Sequence, residues 1–164
     1  MDKFLLQQVY GKYSREIFAY LYTLCGNRSL AEDLLQETFL KAILSLPNTH
    51  ENVRAWLYKV ARNLYFNYSR RSARELTEDA PPADNETAAE DTVLSRLEQQ
   101  ALYRALLKLE GAKREVIMMQ YFSGLPQKEI AAILGISPEN VRVLSYRAKK
   151  ELKKSMEDDG YDLP

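Results

Sequence analysis

Apolar residues recur at intervals of three and four positions along most of the chain, which is the spacing of one face of an amphipathic α-helix. No stretch alternates strictly between apolar and polar residues, as a half-buried β-strand would. The pattern therefore predicts an all-α fold.

Three helices are predicted in the N-terminal half. The first ends near Gly26, because glycine commonly ends a helix. The second is expected to begin at Leu30, since Ser29 and Glu32 have the spacing of a capping box, and to end before the first proline. The third covers residues 53–71. The apolar positions expected in their shared core are Leu6, Val9, Tyr10, Tyr13, Ile17, Leu21, Leu24, Leu34, Leu35, Phe39, Ala42, Ile43, Trp56, Leu57, Val60, Ala61, Leu64 and Tyr68.

Residues 77–92 differ from the helical segments on either side. They include Pro81-Pro82 and six acidic residues but almost no large apolar side chain. Such a segment cannot bury enough surface to offset the entropy of ordering it, so we expect a flexible acidic linker. The predicted division is two small helical domains at residues 1–75 and 96–156, with the linker at 76–95 and an acidic tail at 157–164.

Four helices are predicted after the linker: at residues 94–109, 116–121, 127–134 and 138 to about 154. The last two have the spacing of a helix-turn-helix. Ala131 is small enough for the point where the helices cross, and Gly135 suits the positive φ of the turn. Ser137 can cap the second helix, whose first position suits Pro138. The alternative is an ordinary helical hairpin.

In a DNA-binding helix-turn-helix, exposed residues in the first turns of the second helix meet base edges, and later cations meet phosphates. The candidate residues for duplex DNA are Ser137, Glu139, Asn140, Arg142, Val143, Tyr146, Arg147 and Lys150. Lys149, Lys153 and Lys154 are further candidates for phosphate contacts.

Aromatic and cationic side chains are interleaved in the third predicted helix and at its end. Exposed rings beside cations suit unpaired bases, on which they stack while the cations neutralise phosphates. The alternative is an aromatic-rich core with solvated arginines. The candidate residues for single-stranded DNA are Tyr58, Arg62, Asn63, Tyr65, Phe66, Arg70 and Arg71.

One side of the second predicted helix is acidic and amidic. Asp33, Gln36 and Glu37 share this side, and Glu32 lies beside them. Such a surface can bind a basic partner, or it can simply face solvent.

The charges change this picture because they are unevenly distributed. The totals of 23 basic and 23 acidic residues cancel, but residues 1–75 hold 11 basic and 7 acidic residues and residues 96–156 hold 12 and 6. In the linker and in the tail, all the charged residues are acidic. The two positive blocks coincide with the predicted DNA-binding segments, with solvated surface as the simpler alternative.

Several classes of protein are disfavoured by composition. One cysteine and one histidine cannot form a disulfide framework or a Cys/His metal cluster, so no metal or other cofactor is expected. The longest apolar run has six residues, far too few to cross a bilayer, and no secretory signal opens the chain. We therefore expect a cytoplasmic protein. No nucleotide-binding or catalytic motif is present, which disfavours an enzyme.

Three segments together resemble the extracytoplasmic-function (ECF) sigma factors, the two-domain branch of the bacterial sigma-70 family. AEDLLQETF resembles the helix that docks on the β′ clamp helices of RNA polymerase, which makes its four polar residues candidates for that contact. AWLYKVARNLYFNYSRR resembles regions 2.3 and 2.4, which capture the melted −10 element. KEIAAILGISPENVRVLSYRAKKEL resembles region 4.2, whose recognition helix reads the −35 element. The resemblance adds Asn48, Thr49 and His50, in a loop that receives a flipped-out base in this family.

The resemblance implies a promoter-specificity subunit without catalytic activity, which binds core RNA polymerase through the β′ clamp helices and the β flap. Promoter DNA and an anti-sigma factor, often membrane-anchored, are the other implied partners, and no small-molecule substrate is implied. Asn67 and Pro126 depart from the family pattern, which usually has Asp at the first position and a capping Ser or Thr at the second. The alternatives are a helix-turn-helix regulator that binds an operator without polymerase, and a protein-interaction module.

Overall fold

The computed structural model describes residues 3–46, 52–75 and 93–160. It divides the chain into two units, residues 1–84 and 85–164, and this boundary falls within the predicted linker. Residues 76–92, most of that linker, lie outside the described residues. Only helices and connecting turns occur in the described ranges, which confirms the all-α prediction. None of these helices is long and apolar enough to cross a membrane.

The described residues of unit 1 form three helices that all pack against one another: α1 (Lys3–Cys25), α2 (Arg28–Ser45) and α3 (Val53–Glu75). Its core combines aliphatic side chains with three buried aromatic rings, those of Tyr20, Phe39 and Tyr58. Tyr20 of α1 and Tyr58 of α3 are both at least 99% buried, with ring centroids 5.2 Å apart. Arg54 adds a polar link between the same helices, because its Nε and Nη2 donate to the two carboxylate oxygens of Glu16 at 2.5 and 3.0 Å.

Two expected core positions and one expected helix cap in unit 1 are wrong. Tyr10 and Ile43 are exposed rather than buried, although the Tyr10 ring contacts the edge of Phe39. The cap of α2 is Asn27, whose Oδ1 accepts from the N–H of Leu30 at 3.0 Å, and not Ser29. Gly26 has a φ of 65° and turns the chain one step before Asn27, so the helix begins two residues earlier than the capping-box pattern indicates.

Within residues 93–160, unit 2 contains four helices and one π-helical turn. The helices are α4 (Val93–Lys108), α5 (Ala112–Ile117), α6 (Gln127–Leu134) and α7 (Pro138–Asp158), and the π turn (Met118–Phe122) continues directly from α5. Arg114 closes α4, because its guanidinium donates to the carbonyls of Leu106, Leu107 and Leu109. Sequence patterning did not identify this cap.

The turn between α6 and α7 has the predicted geometry. Gly135 ends α6 with a φ of 70°, and the N–H of Ile136 donates to the carbonyl of Ala131 at 3.1 Å. Ser137 then caps α7, since its Oγ accepts from the N–H of Asn140 at 3.1 Å. Pro126 precedes α6 and gives it no side-chain cap, as its sequence position predicted.

Candidate nucleic-acid interface

Helix α7 has one buried and one exposed side. Val141, Ser145 and Ala148 face the unit and are at most 4% exposed. The predicted base-reading residues lie on the other side, in the first three turns, and all of them are exposed: Glu139, Asn140, Arg142, Val143 and Tyr146. The structure therefore brings these five side chains together on the surface. Ser137 is exposed as well, but its hydroxyl oxygen is used as the helix cap.

Two of the α7 cations lie over aromatic rings. The Nζ of Lys149 is 5.0 Å from the ring centroid of Tyr121, and the Nζ of Lys150 is 5.4 Å from that of Tyr146. A ring beneath an ammonium attracts it through the quadrupole of the ring and limits where the flexible side chain can go. These contacts hold both charges beside the exposed side of α7, whereas Arg147, Lys153 and Lys154 are exposed without such a ring contact in the described residues.

A cleft of about 220 Å³ opens where α7 passes the π turn and the start of α6. Its lining combines amide, hydroxyl and cationic side chains with one valine: Gln120, Gln127, Val141, Arg142, Ser145, Tyr146 and Lys149. Two hydrogen bonds join its walls. Ser145 Oγ donates to Gln120 Oε1 at 2.7 Å, and Gln127 Nε2 donates to the carbonyl of Pro138. Sequence analysis did not identify Gln120 or Gln127, which lie outside α7.

Helix α3 presents only part of the predicted aromatic surface. Tyr58 is completely buried against Tyr20, so the expectation that its ring is exposed is wrong. Phe66 is 37% exposed, with the guanidinium carbon of Arg62 at 4.7 Å from its ring centroid and the Tyr65 ring edge-on at 5.2 Å. Arg62, Tyr65 and Phe66 therefore form one cluster, in which a base could stack and a phosphate could be neutralised.

The C-terminal end of α3 is cationic and exposed. Arg70, Arg71 and Arg74 are all exposed, as is Asn63 one turn before the end of the aromatic cluster. The Nη2 of Arg70 donates to Asn67 Oδ1 at 2.5 Å. Asn67 therefore accepts this hydrogen bond as a neutral side chain and orients Arg70.

The predicted base-receiving loop is not covered by the structure. Asn48, Thr49 and His50 lie outside the described residues. The loop leads into Asn52, whose Oδ1 accepts from the N–H of Ala55 at 3.1 Å and so caps α3.

The acidic side of α2 is exposed as predicted. Glu32, Asp33, Gln36 and Glu37 are all exposed, and Glu32 forms a surface ion pair with Arg28 at 3.4 Å. Leu40 and Leu44 continue the same side by helical spacing and are 54% and 76% exposed. Two exposed leucines beside an acidic patch are typical of a protein-binding surface. The signal for them was present in the sequence, as apolar residues on the polar side of the helix.

No group of three or more His, Cys, Asp or Glu side chains in the described part of the chain is arranged to hold a metal ion. The chemistry that these surfaces offer is binding: hydrogen bonding to bases, neutralisation of phosphates, ring stacking and contact with another protein.

Comparison with known proteins agrees with this arrangement. The model of Sigma-70 region 2 matches residues 9–75, and that of Sigma-70, region 4 matches residues 99–152. The RNA polymerase sigma factor YlaC of Bacillus subtilis is 32% identical, with 92% of this chain and 91% of YlaC covered. The ECF RNA polymerase sigma factor SigL of Mycobacterium tuberculosis is 30% identical, covering 95% of this chain and 91% of SigL.

Solved structures show the same architecture. The sigma factor RpoE of Bartonella quintana, in complex with the anti-sigma factor NepR, gives a TM-score of 0.77 at 25% identity. The match covers 92% of this chain and 96% of that chain. None of these relatives favours the alternative of an operator-binding regulator that acts without polymerase. The chain belongs to the ECF group of the sigma-70 family and is an RNA polymerase sigma factor, a transcription initiation factor without enzymatic activity.

Proposed function

We propose that promoter recognition is divided between the two units. Helix α7 reads the −35 element as duplex, through base contacts from Glu139, Asn140, Arg142, Val143 and Tyr146 and phosphate contacts from Arg147, Lys150 and Lys153. The observation that carries this proposal is that all five base-reading candidates are exposed together on one side of a helix whose other side is buried. An exposed side of this kind fits the major groove.

Unit 1 then holds the −10 element in single-stranded form. The cluster of Arg62, Tyr65 and Phe66 supplies a stacking surface and a cation, and Arg70 and Arg71 neutralise the strand that leaves it. Asn63 contributes an exposed amide, and Asn48, Thr49 and His50 receive a flipped-out base. Tyr58 supports this surface from the core and does not touch the DNA. By holding unpaired bases, unit 1 favours the melted state of the promoter.

Core RNA polymerase binds the acidic side of α2. The β′ clamp helices contact the polar residues of this side, Glu32, Asp33, Gln36 and Glu37, and Leu40 and Leu44 add apolar contact area. The β flap of the polymerase contacts this protein at a separate site. An anti-sigma factor covers the same surfaces before release. RpoE of Bartonella quintana, to which this chain is similar, forms a complex with the anti-sigma factor NepR. The protein acts in the cytoplasm, where its polymerase and promoters are.

Transcription with purified bacterial core RNA polymerase tests the division. Duplexes selected from a random pool by the assembled holoenzyme supply the promoter. Arg142→Ala is expected to relax base preference at one −35 position by about 1 to 3 kcal/mol. Lys153→Ala is expected to weaken binding to all sequences alike. It should also reduce the slope of log affinity against log salt concentration by about one. Equal, sequence-independent losses in both variants would contradict a reading role for α7.

The α2 surface is tested by charge reversal. Glu37→Lys is expected to weaken core binding on the order of tenfold or more, because it places like charges against a basic partner. Arg15→Glu, an exposed reversal on α1, is the matched control and is expected to leave core affinity unchanged. Equal core affinity in both variants would move the polymerase contact away from α2.

A further inference from the structure

Arg62 and Arg70 lie on the same side of α3 as Phe66, four positions before it and four positions after it. Arg62 is placed by the ring itself, because its guanidinium carbon lies 4.7 Å from the ring centroid. Arg70 is placed by Asn67 instead, through the hydrogen bond that its Nη2 donates to Oδ1. Asn67 is three positions closer to the start of the helix, so this bond directs the guanidinium back towards Phe66. The ring is thus flanked by two cations, each held by a contact of its own.

The acceptor that holds Arg70 has no charge. In the described part of the chain Asn67 is the only hydrogen-bond partner of Arg70, and residues 53–74 include six basic residues but no acidic one. A guanidinium has five N–H donors, of which the bond to Asn67 uses one. A carboxylate at position 67 would hold the guanidinium in the same place, since acids and arginines pair at this helical spacing, but it would cancel the charge. The amide therefore orients Arg70 without neutralising it.

This combination suits the backbone beside a stacked base. Within a single strand, each base has a phosphate on either side of it, and binding the strand requires cations that neutralise these phosphates. An arginine in an ion pair would have to break that pair before it met a phosphate. Arg70 keeps its charge and most of its donors at the exposed surface, one helical turn from the ring. Its bond to a phosphate is charge-assisted on both sides, which is the stronger class of hydrogen bond.

We infer that Asn67 is a positioning residue for single-stranded DNA: its neutral amide holds Arg70 beside Phe66 and leaves the full charge of the guanidinium for the phosphate next to the stacked base. The inference rests on the proposed function of unit 1 as the part that holds the melted −10 element. It assigns to Asn67 the control of both the place and the charge of Arg70, without a DNA contact of its own.

The affinity of the holoenzyme for single-stranded −10 DNA, measured at several salt concentrations, tests the inference. The probe is the −10 strand of the selected promoter. Asn67→Asp is expected to lower affinity about tenfold and to reduce the slope of log affinity against log salt concentration by about 0.7, the loss of one phosphate contact. Asn67→Ala keeps the charge of Arg70 but removes its acceptor, so it should lose about threefold with an unchanged slope. In an Arg70→Ala background, Asn67→Ala should have no further effect, and Asn67→Asp much less than in the wild type.

Gln8→Glu makes the same amide-to-acid change at an exposed position of α1 and is the matched control, with affinity and slope expected to stay at the wild-type values. Urea unfolding separates this effect from a folding defect, because the new ion pair in Asn67→Asp should not lower the unfolding midpoint.

The outcomes distinguish the inference from the proposed function. If Arg70→Ala weakens binding but both Asn67 variants bind like the wild type, the inference is wrong and the proposed function of unit 1 stands. A loss in Asn67→Asp that is equally large without Arg70 would also contradict the inference, since it would come from direct repulsion of the DNA. If Arg70→Ala and Phe66→Ala both bind like the wild type, the −10 role of unit 1 is wrong as well.

Discussion

Unit 1 and unit 2 reach a helical fold by different means. Unit 1 packs three helices of 18 to 23 residues around paired aromatic rings from α1 and α3. Unit 2 joins helices of 6 to 21 residues at defined turns, with positive φ at Gly111 and Gly135 and a serine cap on α7. Among its described residues, none of the buried ones is aromatic. Distant helices thus determine the core of unit 1, whereas local turn chemistry determines much of unit 2.

The largest expected effect concerns the aromatic core of unit 1. Tyr58→Ala removes a fully buried ring from its contact with Tyr20 and is expected to lower the free energy of unfolding of unit 1 by about 3 to 5 kcal/mol. Phe66→Ala, on the same helix but 37% exposed, is expected to cost far less. Urea unfolding followed by circular dichroism measures both.

The same two variants separate packing from DNA binding. Phe66→Ala should lower affinity for single-stranded −10 DNA in the holoenzyme by about 1 to 3 kcal/mol, the range for one base stacked on one ring. A Tyr58→Ala chain that is as stable as the wild type but defective in this binding would restore Tyr58 as a DNA contact.

The next effect concerns the polar link between α1 and α3. Arg54 donates two hydrogen bonds to Glu16, both side chains are about one-quarter exposed, and the bond to Glu16 raises the pKa of Arg54 further above its usual range. Arg54→Leu is expected to destabilise unit 1 by about 1 to 2 kcal/mol. In unit 2, Lys113 makes one bond to Glu151, so Lys113→Leu should cost at most about 1 kcal/mol. Equal losses of unfolding free energy in the two variants would show that the Arg54–Glu16 link stabilises unit 1 no more than the Lys113–Glu151 pair stabilises unit 2.

These contrasts explain which features were readable from the sequence. The turn at Gly135 and the cap at Ser137 depend on residues within a few positions, so their identities alone predict the geometry, and the prediction is confirmed. The rotation of α3 about its axis depends on α1 instead. Helical spacing predicts a buried side centred on Trp56, Val60 and Leu64. In the structure Tyr58 is buried against the Tyr20 ring, and Trp56 is only half-buried.

The candidate site divides in the same way. Exposure of the reading side of α7 could be predicted because its inward positions recur at helical spacing, with the apolar Val141 and Ala148 among them. Gln120 could not be identified as part of the cleft beside α7, because its contact with α7 is a hydrogen bond to Ser145, 25 positions away. A hydroxyl on an otherwise apolar helix side indicates a buried partner but does not identify it.

Asn27 and Asn52 cap α2 and α3 of unit 1, and Ser137 caps α7 of unit 2. The caps of α2 and α7 should behave alike. Asn27→Ala in unit 1 and Ser137→Ala in unit 2 each remove a side-chain acceptor for an otherwise unpaired helix N–H. Each is expected to cost about 1 kcal/mol. Denaturant unfolding of the two variants checks this. A much larger loss at Ser137 would mean that the cap also maintains the turn to α6, which would strengthen the view that unit 2 depends on local geometry.

The smallest effect is a pH dependence confined to unit 1, where Cys25 is the sole cysteine of the chain. Burial raises the pKa of this thiol, whose Sγ donates to the carbonyl of Asn27 at 3.2 Å. The folded chain therefore holds the proton more tightly than the unfolded chain, in which a thiol has a pKa of about 8.5. Above that pH the unfolded state ionises first, so the contribution of Cys25 to stability is complete below it and is lost as pH rises.

Unfolding of wild type and Cys25→Ala between pH 7 and 10 isolates this contribution from those of tyrosine and lysine. Stability should fall more steeply in the wild type, and in the unit 1 transition only; parallel curves would show that the Cys25 site does not distinguish the thiol from the thiolate.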